Sequence, residues 1–436
     1  MRRVVSIVLA LLVLAAPTAS AAEDLTLVEK RRLDERLLEL TFATPAIDGT
    51  TGVRVLLPDG YRDSRRRYPV LYLLHGCCNA DTGFRTWTDR LEAERITAGK
   101  PVIVVMPDSG AEGGYVDWWN FGAGGPPEWE TYHIEQLIPW IDRTYRTRAG
   151  RAGRALAGLS MGGFGTFSYA ARHPDMFVSA SAFSGAVDMN VIRPALAAIG
   201  DDDDRSLGSY ETEQIRTRAV NPWDLAPNLH GLELALRTGD GTDADGDLVD
   251  IIEAGVHAAN VSLHDRLAEL GIGHTWDDYG PGTHTDRFWI RDLELTVPEV
   301  MRTFRDPPRR PKRVSFKAAE PRYEAFGWKV KTDRRALEFS ELVGARRRGF
   351  TLVGSGDAVV ETARIYRSGA AFEVEVTRES SGRTSAHAVA RRGRLRIPVE
   401  LGPANDLQQF TPEERESPSR FFRARVKINR TPGGDR

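Results

Sequence analysis

Ser160 stands in Gly158-Leu159-Ser160-Met161-Gly162-Gly163, and His284 ends the glycine-rich stretch Tyr279-Gly280-Pro281-Gly282-Thr283-His284. A serine hydroxyl at its ordinary pKa is a weak nucleophile; a histidine held by an acid activates it by taking its proton during attack. Gly158 and Gly162 suit a sharp strand-to-helix turn that leaves the Ser160 hydroxyl exposed and aims the Met161 N–H at a developing oxyanion. A second such N–H must come from an earlier loop. Leu73-Leu74-His75-Gly76-Cys77-Cys78 offers that of Cys77, with Gly76 allowing close approach and His75 bracing the loop by hydrogen bonding. His274 lies nearer a strand start and reads as a polar turn residue, which leaves His284 as the base. The acid stays open on spacing alone. Asp240 directly follows an apolar run and is favoured by order, Asp243, Asp245 and Asp247 crowd the same loop, and Glu253 lies just beyond.

These residues need a scaffold, and the runs around them supply one. Arg154-Ala155-Leu156-Ala157 predicts a short strand leading into the serine turn, and Phe164 to Arg172 a helix that stops near His173-Pro174. Tyr68 to Leu74 and Pro101 to Pro107 are continuous apolar runs of the kind buried on both faces of a parallel sheet. Between Pro127 and Tyr145 the apolar residues fall at helical spacing. Strands are predicted also at Val53–Leu57, Val178–Phe183, Leu232–Arg237 and Thr275–Tyr279, with helices over Ala258–Leu270 and Phe288–Phe304. Alternation of this kind predicts an α/β fold with a doubly wound, mainly parallel sheet and its reactive groups at the carboxyl ends of the strands. Asp188 to Leu229 is less periodic and reads as an insertion or lid. Trp118 and Trp119, with Tyr115, follow the Pro101 strand; on that placement they face the crevice as a candidate substrate surface, with Asp117 and Asn120 available to bond a hydroxyl.

The chain has 436 residues, 59 Lys and Arg against 61 Asp and Glu, and two cysteines, the adjacent Cys77 and Cys78. A near-balanced charge with interspersed signs leaves no footprint for nucleic acid. Adjacent cysteines build no ordinary disulfide framework, and a strained bridge between them is not expected. No cofactor or metal is expected, and Asp243-Ala244-Asp245-Gly246-Asp247 reads as a solvated acidic turn rather than a calcium loop. Met1-Arg2-Arg3, the apolar run Val4 to Ala16 and Ala19-Ser20-Ala21 predict a signal peptide over residues 1–21, cleaved near Ala21, and hence a secreted or envelope location. A catalytic domain is expected over 40–305. Residues 306–314 are proline- and arginine-rich and read as a stiff linker, after which alternating runs over 315–430 predict a β-rich, sandwich-like accessory domain.

Leu71-Tyr72-Leu73-Leu74-His75-Gly76, Trp129-Glu130-Thr131, Gly158 to Gly163, Arg172-His173-Pro174 and Gly282-Thr283-His284 together resemble the esterase D and secreted mycolyltransferase family of the α/β-hydrolases. The resemblance covers about Thr51 to Phe304 and implies a serine esterase or acyltransferase that acts on acyl esters, with water or an alcohol as acceptor. It also implies the acid: the family pattern of an apolar residue and Glu before a helix, then Asn and an apolar-x-apolar run, matches Ile252-Glu253 and Asn260-Val261-Ser262-Leu263. On that match Glu253 replaces Asp240. Where mycolyltransferases carry aspartate and arginine this chain has His75 and Cys78, which weakens transfer of mycolate to trehalose and leaves donor and acceptor open. Two alternatives accompany the esterase reading. One is an acyltransferase moving an acyl chain to a sugar or glycerol hydroxyl; the other is a non-catalytic envelope protein that contacts cell-wall glycolipid through its β-rich domain. Oligomeric state is not legible.

Overall fold

The computed structural model describes residues 25–77, 83–198, 204–378 and 382–431. The predicted signal peptide and Cys78 lie outside the described residues. A nine-stranded sheet forms the first half, built from β1 (Thr26–Arg32), β2 (Leu37–Thr44), β3 (Ile47–Leu56), β4 (Val70–Leu74), β5 (Ile103–Pro107), β6 (Arg154–Leu159), β7 (Ser179–Phe183), β8 (Glu233–Thr238) and β9 (Thr275–Asp278). Its spatial order is β1-β2-β3-β5-β4-β6-β7-β8-β9. From β5 to β9 all neighbours are parallel, whereas β1, β2 and β3 join antiparallel. The mainly parallel sheet is as expected; β1 and β2 are an addition. Charged, fully exposed β1 carries no burial signal, and β2 is a buried run that the sequence reading passed over.

Each central strand is buried along its length, as the continuous apolar runs require. Helices cover both faces: α1 (Ile138–Thr144), α2 (Met161–Arg172), α3 (Ile251–Glu269) and α4 (Asp286–Arg305). α1 continues a π-helical segment, Thr131–Leu137, and the two together fill the interval predicted as helix. Leu263 and Leu267 of α3 join the core on one face, and Leu293, Val297 and Val300 of α4 the core on the other. The 188–229 interval is largely helical, with Met189–Ala198, Gln214–Val220 and a 3-10 turn at Ala226–Leu229.

Beyond α4 the chain forms two antiparallel sheets, one of six strands and one of four, over a second apolar core that includes Trp328, Phe350, Leu352, Phe372 and Val426. This β domain meets the first through named contacts. Asn228 exchanges two hydrogen bonds with the Lys317 backbone, Arg172 pairs with Glu320, and Asp175 accepts from the Phe326 N–H. Arg172 also pairs with Glu130 at 2.9 Å, and His173 lies 2.6 Å from the same carboxylate. Burial opposes ionisation of Glu130, but the charges of Arg172 and His173 and their hydrogen bonds outweigh it and hold the carboxyl near about 2.

Candidate active site

Ser160 sits between β6 and α2 with φ 55° and ψ −121°, a backbone conformation that L-residues rarely adopt and that neighbours must enforce. They do so through glycine. A Cβ on Gly158 would lie 2.2 Å from the Gly162 carbonyl oxygen, and one on Gly162 would lie 2.1 Å from that of Leu74. The turn is further pinned by the Ser160 N–H donating to Phe183 O at 3.0 Å and by Gly163 and Ala186 N–H groups donating to Ser160 O. Gly76 brings the second loop against this elbow, since its Cβ would be 2.6 Å from Leu159 Cδ1 and 3.2 Å from Ser160 Cβ.

His284 lies in the loop between β9 and α4, and its Nδ1 is 2.7 Å from Glu253 Oε2. Glu253 is fully buried in the first turn of α3. Its other oxygen, Oε1, accepts from Ser184 Oγ at 2.8 Å, Gly239 N at 2.8 Å and Thr238 Oγ1 at 3.2 Å. A carboxylate taken out of water is tolerated only when its lone pairs are so satisfied. Its position makes the Nδ1–H tautomer of His284 the favoured one, which leaves Nε2 as the proton acceptor. Trp289 packs edge-on against the imidazole at 5.0 Å between centroids.

Asp250 is the residue the sequence reading missed. Its Oδ1 caps α3 by accepting from Ile252 N and Glu253 N, each at 3.0 Å, while Oδ2 accepts from His284 N at 2.8 Å. One carboxylate thus ties the helix that carries Glu253 to the loop that carries His284. Burial works to raise its pKa, but those N–H donors prevail and hold it below the usual aspartate range. The signal was present in Asp250-Ile251-Ile252-Glu253, an Asp followed three residues later by Glu at the head of a helix. Ser184 was missed as well, because a serine at a strand end carries no pattern of its own.

Ser160, His284, Gly76 and Cys77 line one open crevice of about 550 Å³, together with Thr86, Arg90, Leu159, Ile252, Thr285, Asp286, Arg287 and Trp289. Met161 is the first residue of α2, where helix amides lack an intrahelical acceptor. Of the two residues expected to supply oxyanion-hole N–H groups, Cys77 lines the crevice and Met161 directly follows Ser160. His75 braces the first loop: its Nδ1 lies 2.7 Å from Gly76 O, and its Nε2 accepts from Ser109 N at 2.9 Å.

Other expectations come out differently. Asp240 turns back on its own loop, where Oδ1 accepts from Thr242 N and Thr242 Oγ1; those bonds, the side-chain one foremost, lower its pKa. It makes no bond to His284. Trp118 and Trp119 do not line the crevice: Trp118 donates to Gly113 O and packs against the core under Arg205, while Trp119 stacks near Phe121 and Arg216. Tyr115 is buried, with its hydroxyl donating to His75 O. Long side chains on this loop find apolar and cationic neighbours in the 204–220 segment, so the loop folds away from the crevice. Cys77 is disulfide-bonded, which corrects the expectation of unbridged cysteines; the sequence holds one other cysteine, Cys78, outside the described residues. Asp243 accepts from the N–H groups of Asp245 and Asp247, a turn held by its own backbone. His274 contacts His264 at 2.8 Å, away from the crevice lining.

A family model described as "Putative esterase" matches residues 44–300. The chain belongs to this esterase family. It is 39% identical over 282 residues to Esterase Rv1288 of Mycobacterium tuberculosis (strain H37Rv), an alignment covering 62% of this chain and 60% of that relative. The chain therefore spans about three-fifths of the length of that relative. The diacylglycerol acyltransferase/mycolyltransferase Ag85B of Mycobacterium leprae is 27% identical over 264 residues, covering 55% of this chain and 78% of its own. Among solved structures, Mycobacterium tuberculosis MPT51 (FbpC1) superposes with a TM-score of 0.50 at 22% identity, covering 60% of this chain and 96% of its own, a likeness of fold.

Proposed function

We propose that the chain is a serine esterase that hydrolyses carboxylic esters through an acyl-enzyme on Ser160. The observation that carries this reading is the junction of a strained serine elbow with a histidine held by a fully buried, fully bonded glutamate in one crevice. In the first half-reaction Ser160 Oγ attacks the ester carbonyl carbon and its proton passes to His284 Nε2. The carbonyl oxygen becomes an oxyanion facing the Cys77 and Met161 N–H groups. Collapse of the tetrahedral intermediate breaks the bond to the alcohol oxygen, which takes the proton from His284 and leaves. Water then attacks the acyl-enzyme, gives a proton to His284, and the acid departs as Ser160 Oγ recovers that proton. Glu253 stays ionised throughout and stabilises the imidazolium.

An acyltransferase uses the same acyl-enzyme with an alcohol in place of water, and the likeness to the diacylglycerol acyltransferase/mycolyltransferase Ag85B favours keeping that reading beside the first. The predicted leader supports action outside the cytoplasm, at the envelope or beyond it. The test is a product balance: purified chain is given acetyl to decanoyl esters with and without glycerol or trehalose, and free acid and new ester are both quantified. Free acid as the main product, lost in Ser160→Ala, is expected. New ester with little acid would favour transfer, and no turnover of any ester would favour the binding-protein reading.

A further inference from the structure

Among the described residues the most exposed large apolar side chains are concentrated in one short stretch. Leu248, Val249, Ile251 and Ile252 are 63%, 56%, 80% and 61% exposed, and of the four such side chains above 60% only Phe121 lies elsewhere. Exposed single aliphatics are ordinary, but four in five residues are not. The stretch is also stiff. Thr242 and Leu248 form a β-bridge, Val249 and Asp250 N–H groups both donate to Gly241 O, and the Asp250 carboxylate caps α3 immediately after. Leucine, valine and isoleucine held outward on a fixed backbone lose no loop entropy when something covers them.

What covers them is indicated by continuity and charge. Ile252 is at once a member of this stretch and part of the crevice lining, next to Glu253 and in the same cavity as Ser160 and His284. The remaining crevice residues with side-chain charge or hydroxyl groups, Thr86, Arg90, Thr285, Asp286 and Arg287, come from other segments, and Arg90 is tied to Asp286 by two hydrogen bonds of 3.0 and 2.7 Å. Ile252 thus joins the crevice to the exposed aliphatic stretch, while the charged lining comes from Arg90, Asp286 and Arg287. Exposed Asp245 and Asp247 precede Leu248 directly, which disfavours an anionic lipid surface as the occupant.

We infer that the 248–252 stretch is the acyl-chain subsite, taking the part of a medium or long acyl chain that extends beyond the crevice, while the alcohol portion lies toward Arg90, Asp286 and Arg287. This rests on the ester-cleaving reading of Ser160 and adds a substrate class to it: esters of acyl chains long enough to leave the crevice. The chain gains contact only past the first few carbons, so the preference appears as a rise of kcat/KM with acyl length, not with alcohol length.

The experiment is a two-way ester panel, acyl length varied at constant alcohol and alcohol length varied at constant acyl group, on wild type, Leu248→Ser/Ile251→Ser and Ile251→Leu. The ratio of kcat/KM for decanoyl over acetyl ester is expected to fall about tenfold in the double serine variant and to be kept in Ile251→Leu. If wild type cleaves both esters and the serine variant keeps the ratio, the subsite is wrong while the esterase reading stands. A change in alcohol-length dependence instead would also overturn it. So would an unchanged ratio with a shift from dimer to monomer by sedimentation, which would make the stretch a contact between copies of the chain. Failure of wild type on every ester would remove both readings.

Discussion

Replacing Glu253 by Gln alters one atom and, by the geometry of its site, reverses a tautomer. Oε1 accepts three hydrogen bonds, from Ser184, Thr238 and Gly239, so in Glu253→Gln the amide oxygen takes that position and the NH2 is presented to His284. An NH2 donates, so His284 Nδ1 must accept, and its proton moves to Nε2. An Nε2–H imidazole cannot receive the Ser160 proton. The equivalent change of orienting acid to amide in a serine triad costs about 10⁴ in kcat, roughly 5 kcal/mol at 1.36 kcal/mol per decade. A loss of about 10³ to 10⁴ is therefore expected here, with KM little changed. Folding is expected to hold, because every donor to Oε1 keeps an acceptor. Asp240→Asn serves as the comparison: its carboxylate bonds only within its own loop, and turnover within about threefold of wild type is expected. The assay is initial-rate hydrolysis of a chromogenic acetyl ester, with thermal melts alongside. Glu253→Gln within tenfold of wild type, or Asp240→Asn carrying the large loss, would refute the assignment.

Asp250→Ala removes the α3 cap and the bond to the His284 N–H together, so a stability loss of about 1–2 kcal/mol and a fall in kcat are expected, with KM moving less. Urea unfolding and steady-state kinetics measure the two effects separately. Burial lifts Asp292 on α4 to about 7, against the pull of Arg291. A raised folded-state pKa means that the native chain holds a proton the unfolded chain has lost, so this contribution is present below about pH 4 and disappears as pH rises through about 7. Wild type should lose stability relative to Asp292→Asn over that window, by on the order of 1 kcal/mol or more, seen as a falling Tm in scanning calorimetry from pH 4 to 8. Glu130→Gln removes one of the two carboxylates paired with half-buried Arg172, and the one that meets His173, and is expected to cost about 1–3 kcal/mol, read in urea.

The serine elbow and the histidine loop were legible in the sequence because each needs a backbone form that only certain residues provide. A glycine pair flanking a serine at a strand end specifies an elbow, and a glycine-rich turn between the last strand and last helix is where a base can hang. The carboxylate that meets His284 was not legible in this way. Glu253 sits inside a helix, not at a strand tip, and its selection over Asp240 came from the family pattern. Asp250 and Ser184 act through hydrogen bonds to groups that are distant in sequence, so their roles emerge only when β7, α3 and the His284 loop come together. Trp118 and Trp119 show the opposite failure. Their position along the chain suits the crevice, but a large aromatic follows whatever apolar and cationic neighbours it meets, here in the 204–220 segment. Parallel strands β4 and β5 were readable from continuous apolar runs and β6 to β8 as short strands, while β1 carries so many charges that only its hydrogen bonds to β2 reveal it.

The central claim is that Ser160 carries the acyl group, and covalent trapping tests it most directly. Purified chain is treated with an acyl-ester-like fluorophosphonate, and the adduct is located by peptide mass spectrometry. One adduct per chain on Ser160 is predicted, absent in Ser160→Ala and formed orders of magnitude more slowly in His284→Ala, with both variants folded by melt. A folded wild-type chain that cleaves esters and yet carries its adduct elsewhere, or none, would contradict the account.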